Sequence, residues 1–443
     1  MKPARLVIAA FLFAIASGLL WWLNKKESAT PKSMASTDST KILELKQEQI
    51  QNLALDKTGS EPIELKREGG KWSITAPKSL SADQDAVSNM LSTLSSLSSD
   101  RLVEEKATNL DQYGLAHPSL SVSAMQQNGK TVKLLFGDST PAGTGSYVEL
   151  AGDQRVFTVA NYSKSAFEKS VSDLRDKRLL AFETEKLTRI ELTARKQSIE
   201  FGRTKDQWQI VKPKPARADQ SAVDDLVRSL HDAKMELSAT LDDKKLSAAF
   251  NSGTPLATAR ITDVSGTQEL QIRKAKDDFY AKSSLVAGVY KISASTVTPL
   301  DKALDDFRNK KLFEFGYVDP DKLDLHDNGK QHLLTHANGD WWSNGTKMDS
   351  EAVNSLLGRI RDLSATKFPD SGFAASLLDL TVISNEGKRT EKALISKNGD
   401  RYIAKREGEP ALYELDPTAV NDLRNAVDGL KPAPAPPPAP AKK

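Results

Sequence analysis

The chain of 443 residues contains no cysteine. Cysteine forms disulfides, thiolate zinc sites, thiol nucleophiles and lipidated anchors, so its absence excludes all four. A strong excess of one charge is also missing, because 62 Lys and Arg residues face 59 Asp and Glu residues and the net charge is +3. A dedicated nucleic-acid-binding protein usually carries a clear basic excess, so we expect no nucleic-acid partner.

Long apolar runs are scarce as well. Hydrophobic residues make up 39% of the chain, which is too little for a polytopic membrane protein. One run stands apart, because Leu6 to Leu23 contains no charged residue. As a helix it would reach about 27 Å, close to a bilayer core of roughly 30 Å. Trp21 and Trp22 lie near its end, where indole rings favour the headgroup level. The run therefore predicts one transmembrane helix that contacts the lipid bilayer.

The orientation of this segment follows from the rest of the chain. Two basic residues precede the run and two follow it, so the flanking charges are balanced. Large domains translocate largely regardless of such charges. We expect a single-pass protein of the inner (cytoplasmic) membrane, with its N-terminus cytoplasmic and its bulk periplasmic or extracytoplasmic. A cleaved signal peptide is the alternative, but the nearest small-residue site, Ser33-Met34-Ala35, lies well beyond the run.

The remainder of the chain repeats one pattern three times. A tryptophan precedes an Asp that is typical of a helix N-cap, and an apolar stripe with helical spacing follows the Asp. The tryptophans are Trp72, Trp208 and Trp341, and the N-cap residues are Asp83, Asp219 and Asp349. The stripes are Val87, Met90, Leu91 and Leu94; Val223, Leu226, Val227 and Leu230; and Val353, Leu356, Leu357 and Ile360. Such agreement predicts three similar repeats.

The end of each repeat shows a second recurrence. Leu174 to Leu179 matches Phe307 to Leu312, and Phe182 and Phe315 follow these segments. We predict a closing helix here in each repeat, which in the third runs from Pro417 to Asp428.

Between these markers apolar and polar residues alternate, as in half-buried strands. Neighbouring strands favour antiparallel pairing. The predicted fold class is α+β: three tandem similar units of mainly antiparallel sheet with two helices each, after one N-terminal transmembrane helix. The predicted segments are a membrane anchor (1–26), a linker (27–41), repeat units (42–182, 183–315 and 316–431) and a Pro/Ala-rich disordered tail (432–443).

These motifs resemble a family of bacterial proteins catalogued only as a domain of unknown function. The motifs in the first repeat are Trp72-x-Ile74-x-x-Pro77, Ala82-Asp83, Tyr113-Gly114-Leu115, Phe136-Gly137, Ser146-Tyr147-Val148 and Val156-Phe157. The second repeat matches in part, through Trp208, Ile210, Pro213 and Asp219, and the third departs after Trp341. The resemblance implies a single-span envelope protein, of a kind often encoded beside gliding-motility-type ABC transporters. It implies no catalytic residues.

Candidates for chemistry are few. The five histidines are His117, His231, His326, His332 and His336. On a strand, His332 and His336 would lie roughly 13 Å apart, too far for a shared metal. Adjacent acids such as Asp224-Asp225 point apart on any regular element, and no nucleophile-elbow, phosphate-loop or dinucleotide motif occurs. We therefore predict no catalytic, cofactor-binding or metal-binding residues and no cofactor.

Two functions from different classes remain. The first is a non-enzymatic, membrane-anchored envelope scaffold or accessory subunit, with ABC transporter subunits as membrane-protein partners. The alternative is an envelope hydrolase or glycan-binding protein with a site between repeat units. Unpaired charged residues converging between repeats would favour the alternative.

Overall fold

The computed structural model describes residues 41–237 and 242–434, and antiparallel β-sheet dominates them. Strands account for 43% and helices for 22%. The chain divides into two compact units, the first ending at Lys177 and the second beginning at Arg178. The first unit contains one sheet and the second contains two, so three sheets carry the three predicted repeats.

The first unit is built on a nine-stranded sheet. Its strands are β1 (Ile50–Lys57), β2 (Ile63–Glu68), β3 (Lys71–Ala76), β4 (Leu80–Ser81), β5 (Arg101–Glu104), β6 (Leu120–Gln126), β7 (Thr131–Ser139), β8 (Gly145–Leu150) and β9 (Val156–Ala160). They lie in the order β4-β3-β2-β1-β6-β7-β8-β9-β5. Helix α1 (Gln84–Ser95) packs its apolar stripe into the same core as the sheet. Two short helices follow β9, α2 (Asn161–Ser165) and α3 (Val171–Leu174).

The second unit begins with an eight-stranded sheet. Its strands are β10 (Arg189–Ala194), β11 (Gln197–Thr204), β12 (Gln207–Lys212), β13 (Ala216–Arg217), β14 (Thr254–Asp263), β15 (Gly266–Ala275), β16 (Asp278–Ser283) and β17 (Tyr290–Ile292). They lie in the order β13-β12-β11-β10-β14-β15-β16-β17. The helices of this repeat are α4 (Gln220–His231), α5 (Asp243–Ser252), α6 (Ala294–Val297) and α7 (Leu304–Phe307).

A third sheet, of nine strands, completes the second unit. Its strands are β18 (Lys322–Asp327), β19 (Lys330–Ala337), β20 (Asp340–Ser343), β21 (Thr346–Lys347), β22 (Ala365–Lys367), β23 (Ser376–Ser384), β24 (Arg389–Asn398), β25 (Arg401–Arg406) and β26 (Leu412–Leu415). The order, β21-β20-β19-β18-β23-β24-β25-β26-β22, repeats that of the first sheet. Its helices are α8 (Ser350–Asp362) and α9 (Pro417–Asp428).

The predicted helix starts and core anchors are confirmed. The side chains of Asp83, Asp219 and Asp349 each accept a backbone N–H in the first turn of α1, α4 and α8. These bonds satisfy donors that a helix start would otherwise leave unpaired. The repeated tryptophans are buried in the three separate cores, with exposures of 7% for Trp72, 3% for Trp208 and 3% for Trp341.

The chain also enters each repeat through the same backbone contact. An N–H of the incoming segment donates to a carbonyl just past the long helix of that repeat. The donor and acceptor pairs are Ile42 and Leu97, Leu179 and Ala233, and Leu312 and Leu363. Each repeat is therefore held by its incoming segment as well as by its sheet.

The predicted α+β class with two helices in each repeat is wrong. The first repeat has three α-helices, the second has four and the third has two, and strand residues outnumber helical residues about two to one. The closing helix has its predicted length in the third repeat, where it runs from Pro417 to Asp428. In the first two repeats it shrinks to α3 and α7, because Arg175 and Arg308 turn extended and bridge to Ala82 and Ala218.

Phe182 and Phe315 also differ from their prediction. Instead of ending the first and second repeats, they pack into the cores of the second and third.

Some predictions fall outside the described residues. These are the anchor over 1–26, the linker up to residue 40 and the tail from residue 435. In the part of the chain that the structure describes, no helix combines the length and the apolar character needed to cross a membrane. The predicted fold class is therefore also wrong for this part of the chain in its transmembrane helix. The start of the predicted tail is paired, because Pro432 bridges to Met348 and the N–H of Ala433 donates to Lys347.

Candidate functional site

Charged side chains converge where the chain passes from the second repeat to the third. Both repeats belong to the second compact unit. We name this group the junction cluster, and it consists of Arg217, Glu314, Glu391, Arg406, Glu409 and Tyr413. It is the kind of meeting of charges that the alternative function would require, so its pairing decides how the region can act.

The sheets place these residues. Arg217 ends the short strand β13, directly before Ala218 and the N-cap of α4. Glu314 lies in the incoming segment of the third repeat, two residues after Leu312. Arg406 stands opposite Ala393 in the β24–β25 pair, and Glu391 is two residues from Ala393 on the same face of the sheet.

Arg217 is the cluster member contributed by the second repeat, and its guanidinium reaches three side chains in the third. Its Nη1 lies 2.9 Å from Oε2 of Glu314, and its Nε lies 2.9 Å from Oε1 of Glu409. Its Nη2 donates to the Tyr413 hydroxyl at 3.3 Å and to the carbonyl of Lys311. A planar fork of donors suits such a multiple contact.

Arg406 forms the second half of the network. Its Nε approaches the same Oε1 of Glu409 at 2.9 Å, and its Nη2 donates to Glu391 at 3.3 Å. Its Nη1 donates to the carbonyl of Leu312. Glu391 accepts the backbone N–H of Glu314 on both oxygens, at 3.1 and 3.2 Å. The network therefore holds the incoming segment by its backbone.

The pKa values follow from this pairing. Burial disfavours the ionised form of Glu314, but a hydrogen bond from Asn309 and the charge of Arg217 outweigh it and lower its pKa. Burial raises the pKa of Tyr413 to about 12, and its hydrogen bond to Glu409 acts in the same direction. Tyr413 therefore stays protonated at neutral pH, and the carboxylate of Glu314 stays ionised. Neither group is poised to exchange a proton there.

The same positions hold the incoming segment of the second repeat without charge. Gln268 accepts the N–H of Ala181 at 2.9 Å and donates to its carbonyl at 2.6 Å. The hydroxyl of Ser283 donates to the carbonyl of Leu179. Gln268 and Ser283 thus do the work of Glu391 and Arg406, which identifies the junction cluster as a clamp on the chain.

The histidines do not form a site. Within residues 41–237 and 242–434, no three His, Asp or Glu side chains are grouped so as to hold a metal ion. His336 stacks on Trp341 with ring centroids 4.9 Å apart, and His326 lies 3.2 Å from Asp324. His231 contacts Phe182 edge to face at 5.7 Å, and His117 is exposed. The prediction that no metal or cofactor binds stays a prediction.

One residue that the sequence analysis missed is Glu149 on β8. Only 7% of it is exposed, and its Oε2 has no hydrogen-bond partner among the described residues. Its direct neighbours on the adjacent strands are Leu135 and Val156, both apolar. Burial raises the pKa of Glu149, and the nearby charge of Asp153 adds to the effect. The apolar residues on both neighbouring strands were the available signal.

Two more missed residues are Gln84 and Gln220, which follow the first two N-caps. The amide of Gln84 accepts the N–H of Trp72 at 2.8 Å and donates to its carbonyl at 2.9 Å. Gln220 makes the same two contacts with Trp208, both at 2.9 Å. Their repetition at one position in two repeats was a readable signal of this lock between strand and helix.

Comparison with known proteins identifies one family. The model of a family described as "Domain of unknown function (DUF4340)" matches the chain twice, over residues 72–252 and 208–380. Both matches begin at a repeat tryptophan, and each continues into the following repeat. No curated protein matches the chain.

Proposed function

We propose, for a chain that belongs to the DUF4340 family of domains of unknown function, a non-enzymatic role as a membrane-anchored scaffold or accessory subunit of the cell envelope. The partners we propose are the subunits of an ABC-type transport system. The resemblance to single-span envelope proteins encoded beside gliding-motility-type ABC transporters supports this choice of partner. A single apolar segment cannot form a pore, so transport would use another subunit's membrane domain.

The pairing within the junction cluster carries the proposal. A hydrolase site between repeats would be expected to present charged groups to a substrate, with pKa values shifted toward working pH. In the junction cluster the arginines and carboxylates contact one another or the incoming backbone. This arrangement favours a rigid structural element over a reaction centre.

The proposed location rests on the sequence. Leu6 to Leu23 would cross the inner membrane once, and the bulk of the chain would lie outside the cytoplasm. Tethering raises the local concentration of the body at a membrane partner. We therefore propose that the anchor is needed for function.

Complementation of a deletion strain tests the proposal. One variant consists of residues 27–443 exported as a soluble protein, and the other is full length with all five histidines replaced by alanine. We expect the soluble form to fail and the histidine-free form to work, provided that immunoblots show both at wild-type levels. An active soluble form together with an inactive, folded histidine-free form would contradict the scaffold and favour an enzyme.

Affinity purification tests the partner. The bait is the full-length chain, and the matched control replaces residues 6–23 with an unrelated apolar segment of equal length. We expect ABC transporter subunits to co-purify with the bait. Recovery of no membrane protein with the bait above the level of an empty-tag control would contradict the proposed partner.

A further inference from the structure

A second surface lies in the first repeat, in the groove between α1 and α2. Its volume is about 330 Å³, at the lower end of the range of ligand sites. The polar residues that line it include Asn89, Ser92, Thr93, Ser98, Tyr162 and Ser163. None of its lining residues is charged, so the groove offers hydroxyl and amide groups to a ligand.

Two neighbouring residues give this groove the character of a binding site. Ser163 is only 5% exposed, yet its hydroxyl has no hydrogen-bond partner among the described residues and faces the groove. A buried hydroxyl without a partner is unfavourable unless water or a ligand completes it. Beside it, Tyr162 is 77% exposed and its ring contacts no other aromatic ring in the described residues. An aromatic face thus stands free at the rim.

The other two repeats provide an internal comparison, because the same helix face occurs in each. On α4 the positions of Asn89 and Ser92 are Asp225 and Arg228, which form an ion pair at 3.1 Å. On α8 the position of Thr93 is Arg359, which pairs with Asp422 of α9 at 3.2 Å. Charge therefore fills the groove where no ligand is needed, and the first repeat is the one that lacks it.

Neutral sugars match these features. A pyranose ring has a face of C–H groups, which an aromatic ring attracts through its negative face, and a rim of hydroxyls that both donate and accept. We propose that the groove between α1 and α2 binds a neutral saccharide, with the Tyr162 ring stacked on one sugar face and the Asn89 and Ser163 side chains bonded to its hydroxyls. The site lies within one repeat and does not depend on the scaffold role.

Saturation-transfer NMR on the full-length protein in phospholipid nanodiscs tests this site. The probes are methyl β-glucoside, methyl N-acetyl-β-glucosaminide and the anionic methyl β-glucuronide. We expect saturation transfer to one or both neutral sugars, and their comparison shows whether an acetamido group is preferred. The glucuronide should bind at least about fivefold more weakly, because no cation lines the groove to compensate its desolvation.

Three variants assign the signal to the groove. Tyr162→Ala should raise the Kd by about fivefold to tenfold. Thr93→Arg, which copies the third repeat, should abolish binding. The matched control is Tyr317→Ala, which removes a tyrosine that is 94% exposed in the third repeat and should change the Kd less than about twofold.

The proposal is overturned by any of three results. These are no saturation transfer to either neutral sugar, an equal loss of binding in Tyr162→Ala and Tyr317→Ala, or preferred binding of the glucuronide. Tyr162 is exposed, so its variant is expected to fold, and circular dichroism checks this.

Discussion

At the scale of single residues, equivalent positions carry different chemistry in the three repeats. The two positions that hold the incoming segment are Gln268 and Ser283 in the second repeat and Glu391 and Arg406 in the third. Amide, hydroxyl and ionic groups can each satisfy the same backbone atoms. The ionic version needs further partners, because a buried charge is costly unless it is paired. Arg217 and Glu409 provide that pairing.

Replacing Arg217 tests this dependence. Arg217→Ala leaves Glu314 and Glu409 without one of their cations, and we expect a loss of about 3–5 kcal/mol in the free energy of unfolding of the second unit. Urea denaturation of the full-length protein measures it. The control is Arg228→Ala, whose pair with Asp225 is exposed (70% and 47%), and which should cost less than about 1 kcal/mol. Equal losses for the two variants would show that the cluster is not a clamp.

Glu149 gives a prediction with a defined pH dependence. Its pKa is raised in the folded protein, so the folded state holds its proton more tightly than the unfolded chain does. Stability is then lost as the pH rises through the ordinary carboxyl pKa toward the raised value. Glu149→Met removes the unpartnered group and should stabilise the protein by about 1–3 kcal/mol at pH 7. The gain should shrink below about pH 4, where both states are protonated.

Urea denaturation at pH 7 and at pH 3.5 measures both values. A constant gain at the two pH values would contradict the assignment to ionisation.

At the scale of elements, the long helix of each repeat is fixed at its start. The N-cap aspartate satisfies the first turn, and in two repeats the next residue is a glutamine that bonds to the tryptophan strand. In the third repeat that position is Ser350, and the N–H of Met348 donates to Trp341 instead. The strand and helix thus meet by side-chain amides in two repeats and by backbone in the third.

Substitution of the glutamine measures this lock. Gln84→Ala leaves the backbone groups of Trp72 and the carbonyl of Ala82 without their partners. We expect a loss of about 1–3 kcal/mol in the free energy of unfolding, read by circular dichroism in urea. The equivalent Ser350→Ala is exposed and should stay within about 0.5 kcal/mol. A Gln84→Ala loss as small as that of Ser350→Ala would rule out the lock.

At the scale of the whole molecule, the second and third repeats share one compact unit, which begins at Arg178. The junction cluster lies inside it, since Arg217 belongs to one repeat and its carboxylate partners to the other. Cooperative unfolding of these two repeats follows if those contacts are strong.

Excision of this unit tests the cooperativity. A fragment of residues 178–434 retains both sheets and every residue of the junction cluster. We expect one calorimetric transition, with the van't Hoff and calorimetric enthalpies in agreement. In the same fragment, Arg217→Ala should separate the transition into two. Two transitions already present in the wild-type fragment would show that the clamp does not couple the repeats.

Much of the local structure could be predicted from the sequence. The N-cap at Asp83, the apolar stripe of α1, the buried Trp72 and the closing helix from Pro417 follow from residues within a few positions of one another. Periodicity and capping act over such distances, which explains their success. Repetition added the alignment of the three repeats, because each marker could be checked against two others.

The tertiary structure decided what depends on residues far apart in the chain. Arg217 meets Glu409 and Tyr413 only because the sheets bring them together, and their sequence positions give no sign of it. The closing helices of the first two repeats shorten because the outgoing chain pairs with Ala82 and Ala218, a contact that outweighs local helical preference. The sequence alone thus determined the repeat and its elements, whose causes are local. The fold alone decided which charges are paired, which carboxyl is buried and which groove is left uncharged, since burial is a property of the packed chain.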